Sequence, residues 1–200
     1  MGNLFQLRPW DKDKDISIGK FEIEAEDVFH IKTLYESLHD WFIEEGFDDV
    51  DGYQDRFEQL YWERVNATGA KDSHIWWRVV KVPEKSKYFR YYLRFDFQGL
   101  NMKQVEIMHK GQKVKTDKAD LIMRMEGVLQ LDYLNQFEKG FFKGFEELYR
   151  KRMLHEKREY FKDELYNTMY RLSARVKSYL KLRTPFKAPR TFRPEVGLPE

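Results

Sequence analysis

Large apolar residues and polar residues alternate most regularly in the middle of the chain. Within residues 87–99, every second residue from Phe89 to Phe97 is large and apolar. A period of two is typical of a β-strand that buries one face. A less regular alternation is found at 74–82, 104–109, 112–115 and 121–131. The pattern predicts an antiparallel meander of four or five strands with one face exposed to solvent.

Two segments upstream of this meander also have the character of strands. Residues 16–24 alternate over a short distance and predict a strand. Residues 54–65 are ambiguous, because Phe57, Tyr61 and Val65 can share one face of either a helix or a strand. We interpret this segment as a strand, since aromatic residues favour strands and a meander follows.

Apolar residues spaced three and four apart predict helices on both sides of the meander. The first helix should begin after an N-cap at Asp27 and end at Gly46. Its apolar stripe consists of Val28, Ile31, Leu34, Tyr35, Leu38, Trp41 and Phe42. The pattern is helical again from Asn135 to about Leu182, and residues 154–182 would form one helix of about 40 Å. We expect a helix of that length to extend beyond a compact core.

Together these patterns predict an α+β fold, in which an antiparallel β-meander is packed by an N-terminal helix and long C-terminal helices and is followed by an extended basic tail. We expect an irregular arm over residues 1–15, a single domain over 16–182 and a Pro-rich tail over 183–200. The chain of 200 residues is long enough for one hydrophobic core.

Composition limits the setting and the chemistry. The chain has no cysteine, which excludes disulfides and is typical of a reducing compartment. No apolar run approaches the roughly 20 residues of a transmembrane helix, and the first 15 residues do not resemble a signal peptide. We therefore expect a cytoplasmic protein with no membrane span.

Sequence motifs for catalysis or metal binding are not found. The chain contains no dinucleotide-binding glycine motif, no P-loop and no nucleophile elbow. The histidines have no metal-ligand spacing; they are His30, His39, His74, His109 and His155. We expect a protein that is not an enzyme and that carries no cofactor and no metal.

The C-terminal tail carries the most distinctive side chains. Its positive and aromatic residues are interleaved, at Lys181, Arg183, Phe186, Lys187, Arg190, Phe192 and Arg193. Such a segment can pair with phosphates and stack on bases, or it can lie across another protein with its phenylalanines in pockets. It can also be a solubilising tail without a binding role. The sequence leaves these alternatives open.

Several segments resemble small uncharacterised proteins of archaea. They are 29–41, the run Phe57-Glu-Gln-Leu-Tyr-Trp-Glu-Arg64, 105–115 and 166–180, so the likeness spans most of residues 16–182. It implies an intracellular prokaryotic protein and brings no assigned activity. The order of predicted elements also resembles the helix-grip arrangement of the START type, in which a curved sheet and a last helix enclose an apolar ligand. That resemblance implies a cavity lined by Trp76, Phe89, Tyr91, Phe95 and Phe97, although the same aromatic face is also explained as packed core.

Three hypotheses for function follow. The leading one is a non-enzymatic interaction or assembly protein that contacts like or unlike subunits through its long C-terminal helix and tail. The first alternative is a nucleic-acid or ribonucleoprotein-binding protein that uses the basic tail. The second alternative is a carrier of a small apolar ligand with a helix-grip cavity.

Overall fold

The computed structural model of the chain describes residues 11, 14–50, 56–83, 86, 88–109, 112–135 and 154–181. Its elements in chain order are β1 (Asp15–Phe29), α1 (Ile31–Glu44), β2 (Asp48–Asp49), β3 (Glu58–Val65), β4 (Lys71–Lys81), β5 (Phe89–His109), β6 (Gln112–Leu131) and α2 (His155–Tyr179).

A six-stranded antiparallel sheet forms the centre of the fold. The strands lie in the order β1-β6-β5-β4, and the far edge of β4 pairs with β3 along one part and with the short β2 along another. The longest pairing joins β5 to β6, from Phe89 opposite Leu131 to His109 opposite Gln112. The predicted α+β class, with an antiparallel sheet, an N-terminal helix and a long C-terminal helix, is confirmed.

Both helices pack on the same face of the sheet, which we call the inner face. The buried stripe of α1 consists of Leu34, Leu38, Trp41 and Phe42, and that of α2 includes Leu165, Met169, Leu172 and Val176. Phe42 of α1 contacts Trp77 and Phe95, and Phe161 of α2 contacts Phe89. Full burial of such a side chain contributes about 1.5–3 kcal/mol relative to its exposed state. The inner face is therefore the main core.

The opposite face, which we call the outer face, is covered at one end. Val50, Val80, Tyr92 and Val128 form a small buried cluster there. Next to them Arg90 is fully buried; its Nε donates a hydrogen bond of 2.8 Å to Gln130. Away from this end, the outer face carries partly exposed charged and aromatic side chains.

The predicted N-cap of α1 at Asp27 is wrong. β1 does not end near Glu24 but continues to Phe29, and Asp27 lies opposite Ala119 of β6. The helix begins at Ile31, where His30 Nδ1 accepts a hydrogen bond of 3.2 Å from the backbone N–H of Thr33. The apolar residues from Val28 onward have helical spacing, but residues 25–29 instead pair with β6, and this pairing buries Ala25 and Phe29. The predicted end at Gly46 is confirmed, since Gly46 has φ +75°.

The meander has longer strands than the alternation predicts. Residues 89–99 and 104–109 belong to one strand, β5, because a bulge between Leu100 and Lys103 carries the pairing past Asn101, which has φ +52°. Likewise 112–115 and 121–131 belong to the single strand β6. The strand interpretation of 54–65 is confirmed for residues 58–65, which form β3, and residues 54 and 55 lie outside the described ranges.

The prediction that α2 extends beyond the core is also wrong. Its last turns are buried, with Val176 at 1% and Leu180 at 5% exposure. The Tyr179 hydroxyl donates a hydrogen bond of 3.0 Å to the His30 carbonyl at the start of α1. The helix therefore uses its apolar stripe on its own sheet, and its exposed aromatic residues are Tyr160, Tyr166 and Tyr170.

Candidate functional site

Four of the exposed large apolar side chains of the described residues lie on the single strand β3. All eight residues of this strand are exposed. Its apolar members are Leu60, Tyr61, Trp62 and Val65, with exposed fractions from 36% for Leu60 to 62% for Val65. Trp76 on the neighbouring strand β4 is 41% exposed. We call these five residues the edge surface. Exposed apolar side chains that cluster on one strand and its neighbour mark interaction sites in soluble proteins.

The register between β3 and β4 places three of these side chains on the outer face. Leu60 lies opposite Trp76, and Trp62 lies opposite His74. Cross-strand partners share one face of a sheet, and their side chains contact each other. The rings of Trp62 and His74 are 5.2 Å apart between centroids. The outer face thus presents two adjacent cross-strand pairs, Leu60–Trp76 and Trp62–His74, and each pair contains one tryptophan.

Neighbouring cations hold both tryptophans in position. The Arg64 guanidinium lies 5.7 Å from the centre of the Trp62 ring, and that of Arg78 lies 5.7 Å from the Trp76 ring. Arg78 is itself fixed by a 2.6 Å ion pair between its Nη1 and Asp96 Oδ1. Cation–π contacts at exposed sites contribute about 0.5–1 kcal/mol. The aromatic side chains are therefore partly ordered before any partner binds, which lowers the entropic cost of binding.

Tyr61 lies on the inner-face side of β3, opposite Ile75, and is 55% exposed. Its hydroxyl donates a hydrogen bond of 2.7 Å to Glu63 Oε1. This hydrogen bond, together with partial burial and the negative charge of Glu63, raises the pKa of Tyr61 to about 12. The phenol therefore stays neutral at physiological pH.

The turn that joins β3 to β4 is fixed by the buried carboxylate of Asp72. It accepts hydrogen bonds from the Asn101 backbone N–H at 3.0 Å, from Asn66 Nδ2 at 2.9 Å and from Arg64 Nη2 at 3.3 Å. These contacts lower the pKa of Asp72. The hydrogen bond from Asn101 has the largest effect, followed by that from Asn66 and then by the pairing with Arg64. Asp72 thus ties β3 to the bulge of β5 and sets the position of the strand.

β3 has a partner strand on one side only. It pairs with β4, and within the part of the chain that the structure describes no strand pairs with its other side. An edge strand carries a row of backbone N–H and C=O groups that can accept another strand. The edge surface therefore combines two recognition elements, which are backbone hydrogen-bonding groups and exposed aromatic side chains.

The rest of the outer face carries charges that are already paired. Arg94 contacts Glu126 at 3.3 Å, and Arg124 contacts Glu22 at 2.9 Å. Together with the Arg78–Asp96 pair, these contacts give three arginines of this face a carboxylate partner. A surface of this kind has no excess of positive charge for phosphate groups.

The residues predicted to line a cavity do not lie on one face. Phe89, Tyr91, Phe95 and Phe97 are buried in the inner core, whereas Trp76 points to the outer face as part of the edge surface. The Tyr91 hydroxyl donates a hydrogen bond of 2.8 Å to Glu164 of α2. Burial, with this hydrogen bond, raises the pKa of Tyr91. The aromatic side chains of the sheet are thus packed against α1 and α2.

The predicted tail site falls almost entirely outside the described residues. Only Lys181 is described; it follows α2, is exposed and has φ +53°. The remaining predicted residues lie outside the described ranges, and they are Arg183, Phe186, Lys187, Arg190, Phe192 and Arg193. The binding role of the tail stays a prediction.

Other candidate sites are weaker. A groove of about 380 Å³ lies where β1, β5 and β6 meet, and Glu26, Asn101 and Lys118 are among its lining residues. Its lysine and glutamate side chains contact each other at 3.7 Å. Among the residues that the structure describes, no three or more histidine, aspartate or glutamate side chains are grouped to hold a metal ion, and no helix is long and apolar enough to cross a membrane.

Comparison with protein-family models, with curated proteins and with solved structures gives no match. The resemblances to archaeal proteins and to the START type therefore stay predictions.

Sequence reasoning did not identify the edge surface. The available signal was the strand itself, which carries apolar residues on both faces at Leu60, Tyr61 and Trp62. That pattern is typical of a strand buried on both sides. Only the position of β3 in the sheet shows that these side chains are exposed.

Proposed function

We propose that this chain is a non-enzymatic interaction or assembly protein and that the edge surface is where it contacts its partner. The observation that carries the proposal is that all eight residues of β3 are exposed, although the strand has Leu60, Tyr61 and Trp62 in succession. Interfaces are enriched in tyrosine and tryptophan, and truncation of such residues at an interface centre commonly costs about 2 kcal/mol or more. The proposed setting is the cytoplasm, in keeping with the absence of cysteine.

The proposal differs from the sequence-based hypothesis in the location of the contact. That hypothesis places the contact on the long C-terminal helix and the tail, but the apolar stripe of α2 is buried against its own sheet. The edge surface has no such partner among the described residues, and it is held in place by Asp72, Arg64 and Arg78. A rigid α+β body that presents an ordered aromatic edge is suited to protein binding by strand addition.

The paired charges of the outer face favour protein over nucleic acid as the partner. Tryptophan and histidine rings can stack on bases, but stacking sites for single strands also carry cations that track the phosphates. Here Arg78, Arg94 and Arg124 each contact a carboxylate. Nucleic-acid binding through the tail remains a separate hypothesis, and it predicts affinity that falls steeply with salt.

The proposal is tested by site-specific photo-crosslinking in the native cells. A photoreactive amino acid replaces Glu63 on β3 or, as the matched control, Glu24 on β1; both glutamates are exposed on strands at an edge of the sheet. We expect protein adducts from position 63 and few from position 24. The double substitution Leu60→Glu and Trp62→Glu should abolish the adducts, whereas Tyr160→Glu and Tyr170→Glu on α2 should not. Equal adducts from both positions, or none from position 63, would contradict the proposal.

A further inference from the structure

We infer that the chain's own C-terminal tail regulates the edge surface: residues 188–192 add to β3 as an antiparallel strand, and the protein partner has to displace them. The inference rests on the proposed function, because the tail and the partner compete for the same edge. Residues 188–192 lie outside the described ranges. The geometry of β3, the place where α2 ends and the order of residues in the tail favour this segment as the occupant.

The backbone of β3 offers hydrogen-bonding groups at every second residue. The Asn66 N–H donates a hydrogen bond of 2.7 Å to the Ala70 carbonyl, which closes the hairpin between β3 and β4. In an antiparallel ladder, residue pairs that exchange hydrogen bonds alternate with pairs that do not. The register of β3 on β4 therefore directs the N–H and C=O groups of Tyr61, Glu63 and Val65 away from β4. An added strand bonds to β3 at these three residues.

The side chains of the same three residues place one carboxylate between two apolar groups. Tyr61 and Val65 are 55% and 62% exposed, and Glu63 lies between them. Among the described residues, Glu63 has a hydrogen bond from the Tyr61 hydroxyl but no ion pair, since the neighbouring Arg64 pairs with Asp72. A strand that complements this surface carries a cation flanked by two apolar residues.

The tail carries residues in that order. Residues 188–192 read Ala-Pro-Arg-Thr-Phe. In one antiparallel register, an ionic pair is flanked by an aromatic pair and an aliphatic pair. The three pairs are Arg190–Glu63, Phe192–Tyr61 and Ala188–Val65. Cross-strand pairs of these kinds each contribute about 0.2–1 kcal/mol to a sheet.

The proline within the segment restricts the register. Pro189 has no N–H, so it is tolerated in a strand only where that group would face away from the neighbouring strand. With Arg190 opposite Glu63, Pro189 lies opposite Arg64, whose backbone groups bond to β4, and its ring nitrogen faces away from β3. A shift by one residue in either direction places Pro189 opposite Glu63 or Val65, where an N–H is required.

A shift by two residues is also unfavourable. In one direction Pro194 lies opposite Tyr61, again at a position that requires an N–H. In the other direction Arg190 lies opposite Tyr61, and its ion pair with Glu63 is lost. Among these five registers, only the one that pairs Arg190 with Glu63 satisfies both the hydrogen bonds and the charge.

The end of α2 lies where the tail has to begin. The Tyr179 hydroxyl bonds to the His30 carbonyl, directly after the end of β1. Through β6, β5 and β4, this end of β1 lies in the same row of the sheet as Val65. Four strand spacings of about 4.8 Å amount to about 19 Å, and the chain from Lys181 to Ala188 spans up to about 23–25 Å. The tail therefore reaches β3 at the end from which an antiparallel strand has to enter.

The tether makes this contact effective even if each pair is weak. A segment joined by a short linker has an effective concentration in the millimolar range. The apparent affinity of a partner falls with the fraction of chains whose edge is open. The tail thus sets a threshold that only a partner with more extensive contacts to β3 overcomes.

Disulfide trapping tests the register, because the chain has no cysteine of its own. Opposed residues of an antiparallel pair have Cα atoms about 4.5–5.5 Å apart, which is within disulfide range. The full-length double variant Trp62→Cys with Thr191→Cys and, as the matched control, Trp62→Cys with Phe192→Cys are oxidised in dilute solution. In the proposed register Thr191 lies opposite Trp62, whereas Phe192 belongs to the other face. We expect an intramolecular disulfide, mapped by mass spectrometry, from the first variant and little from the second.

Hydrogen exchange gives a second readout that needs no cysteine. In the full-length chain the amides of Tyr61, Glu63 and Val65 should be protected. Arg190→Glu should speed their exchange about fivefold or more, because it replaces an attractive pair by a repulsive one. The double variant Arg190→Glu with Glu63→Arg should restore the protection. Arg183→Glu reverses a tail charge outside the paired segment and should leave the rates unchanged, and unchanged exchange in β1 shows that each variant is folded.

The competition with the partner is measured in the native cells. A photoreactive amino acid replaces Val65, so that the Arg190–Glu63 pair is kept. Arg190→Glu then opens the edge and should raise the yield of adducts with the foreign protein about fivefold or more. Arg183→Glu is again the matched control. A yield that Arg190→Glu does not change overturns the competition.

The outcomes separate this inference from the proposed function. If the three amides exchange equally fast in the unmodified chain and in Arg190→Glu, the tail contact is overturned, and the proposed function stands if position 63 still captures another protein. Faster trapping through Phe192 than through Thr191 overturns the register. Protection by the tail without any foreign adduct from position 63 removes the proposed function and with it the regulatory role.

Discussion

Two of the edge strands of the sheet, β1 and β3, differ in how far the rest of the chain covers them. β1 buries Ile23, Ala25 and Phe29 under the helices, and Tyr166 of α2 lies over its Phe21 with ring centroids 5.7 Å apart. β3 buries none of its eight residues. Both strands lie at an edge of the same sheet, so position alone does not explain the contrast.

The two strands differ in the side chains that they expose to solvent as well as in how far the helices cover them. β1 carries charged residues on its exposed face, and Lys20 and Glu22 pair with Glu126 and Arg124 of β6. Charges on an edge discourage the addition of another strand. β3 instead presents tryptophan and leucine on the corresponding face. The comparison indicates that β1 is a protected edge and β3 a binding edge.

The largest expected effect is on folding stability at the covered edge. Ile23→Ala should lower the free energy of unfolding by about 2–5 kcal/mol, because it removes buried methyl groups from the core. Leu60→Ala on β3 should cost less than about 1 kcal/mol, since the side chain is partly exposed. Urea unfolding at low protein concentration measures both. Equal losses would mean that β3 is as well packed as β1.

The close approach of α2 to the covered side of the sheet gives a second test. A Cβ at Gly127 of β6 would overlap Sδ of Met169 on α2. Gly127→Ala should therefore destabilise the fold by about 1–3 kcal/mol, and less when Met169→Ala is present. Gly19→Ala on β1 is the control, because its added Cβ would meet only ordinary contacts at 3.8 Å. A similar cost for both glycine substitutions would contradict tight packing of α2 on β6.

A smaller effect is expected from the carboxylate that fixes the β3–β4 turn. The pKa of Asp72 is lowered in the folded state by its hydrogen bonds. Its contribution to stability is therefore present above the unfolded-state pKa of about 3.9 and is lost as the pH falls through the lower folded-state value. Asp72→Asn should reduce stability at neutral pH and flatten its decline in acid. Urea unfolding between about pH 2 and pH 7 tests this, and an unchanged acid dependence would exclude the role of Asp72.

Much of the fold follows from local patterns. The strict alternation from Phe89 to Phe97 predicts a strand buried on one face, and all the apolar members of that face lie in the core. The stripe of α1 from Leu34 to Phe42 is also buried as predicted. These elements follow the expected period because a single face of each is buried.

The remaining features depend on contacts between distant residues. The start of α1 is set by the pairing of β1 with β6, where Phe29 lies opposite Asp117, and no residue near Asp27 signals that pairing. Likewise, Trp62 and Leu60 would suit an interior strand as well as an exposed edge. The exposure of β3 is a property of the strand order, which local sequence does not encode.

Hydrogen exchange of the Arg190→Glu chain, with and without the protein captured at position 63, tests the contrast between the two edges most directly. The account predicts that the amides of β3 between Leu60 and Val65 that point away from β4 exchange quickly in this variant when it is free and become protected when that protein binds, because β3 then pairs on both sides. The amides of β1 should keep the same rates throughout. Protection of β3 that is the same with and without the bound protein, or new protection that appears in β1 instead, would contradict the identification of β3 as the binding edge.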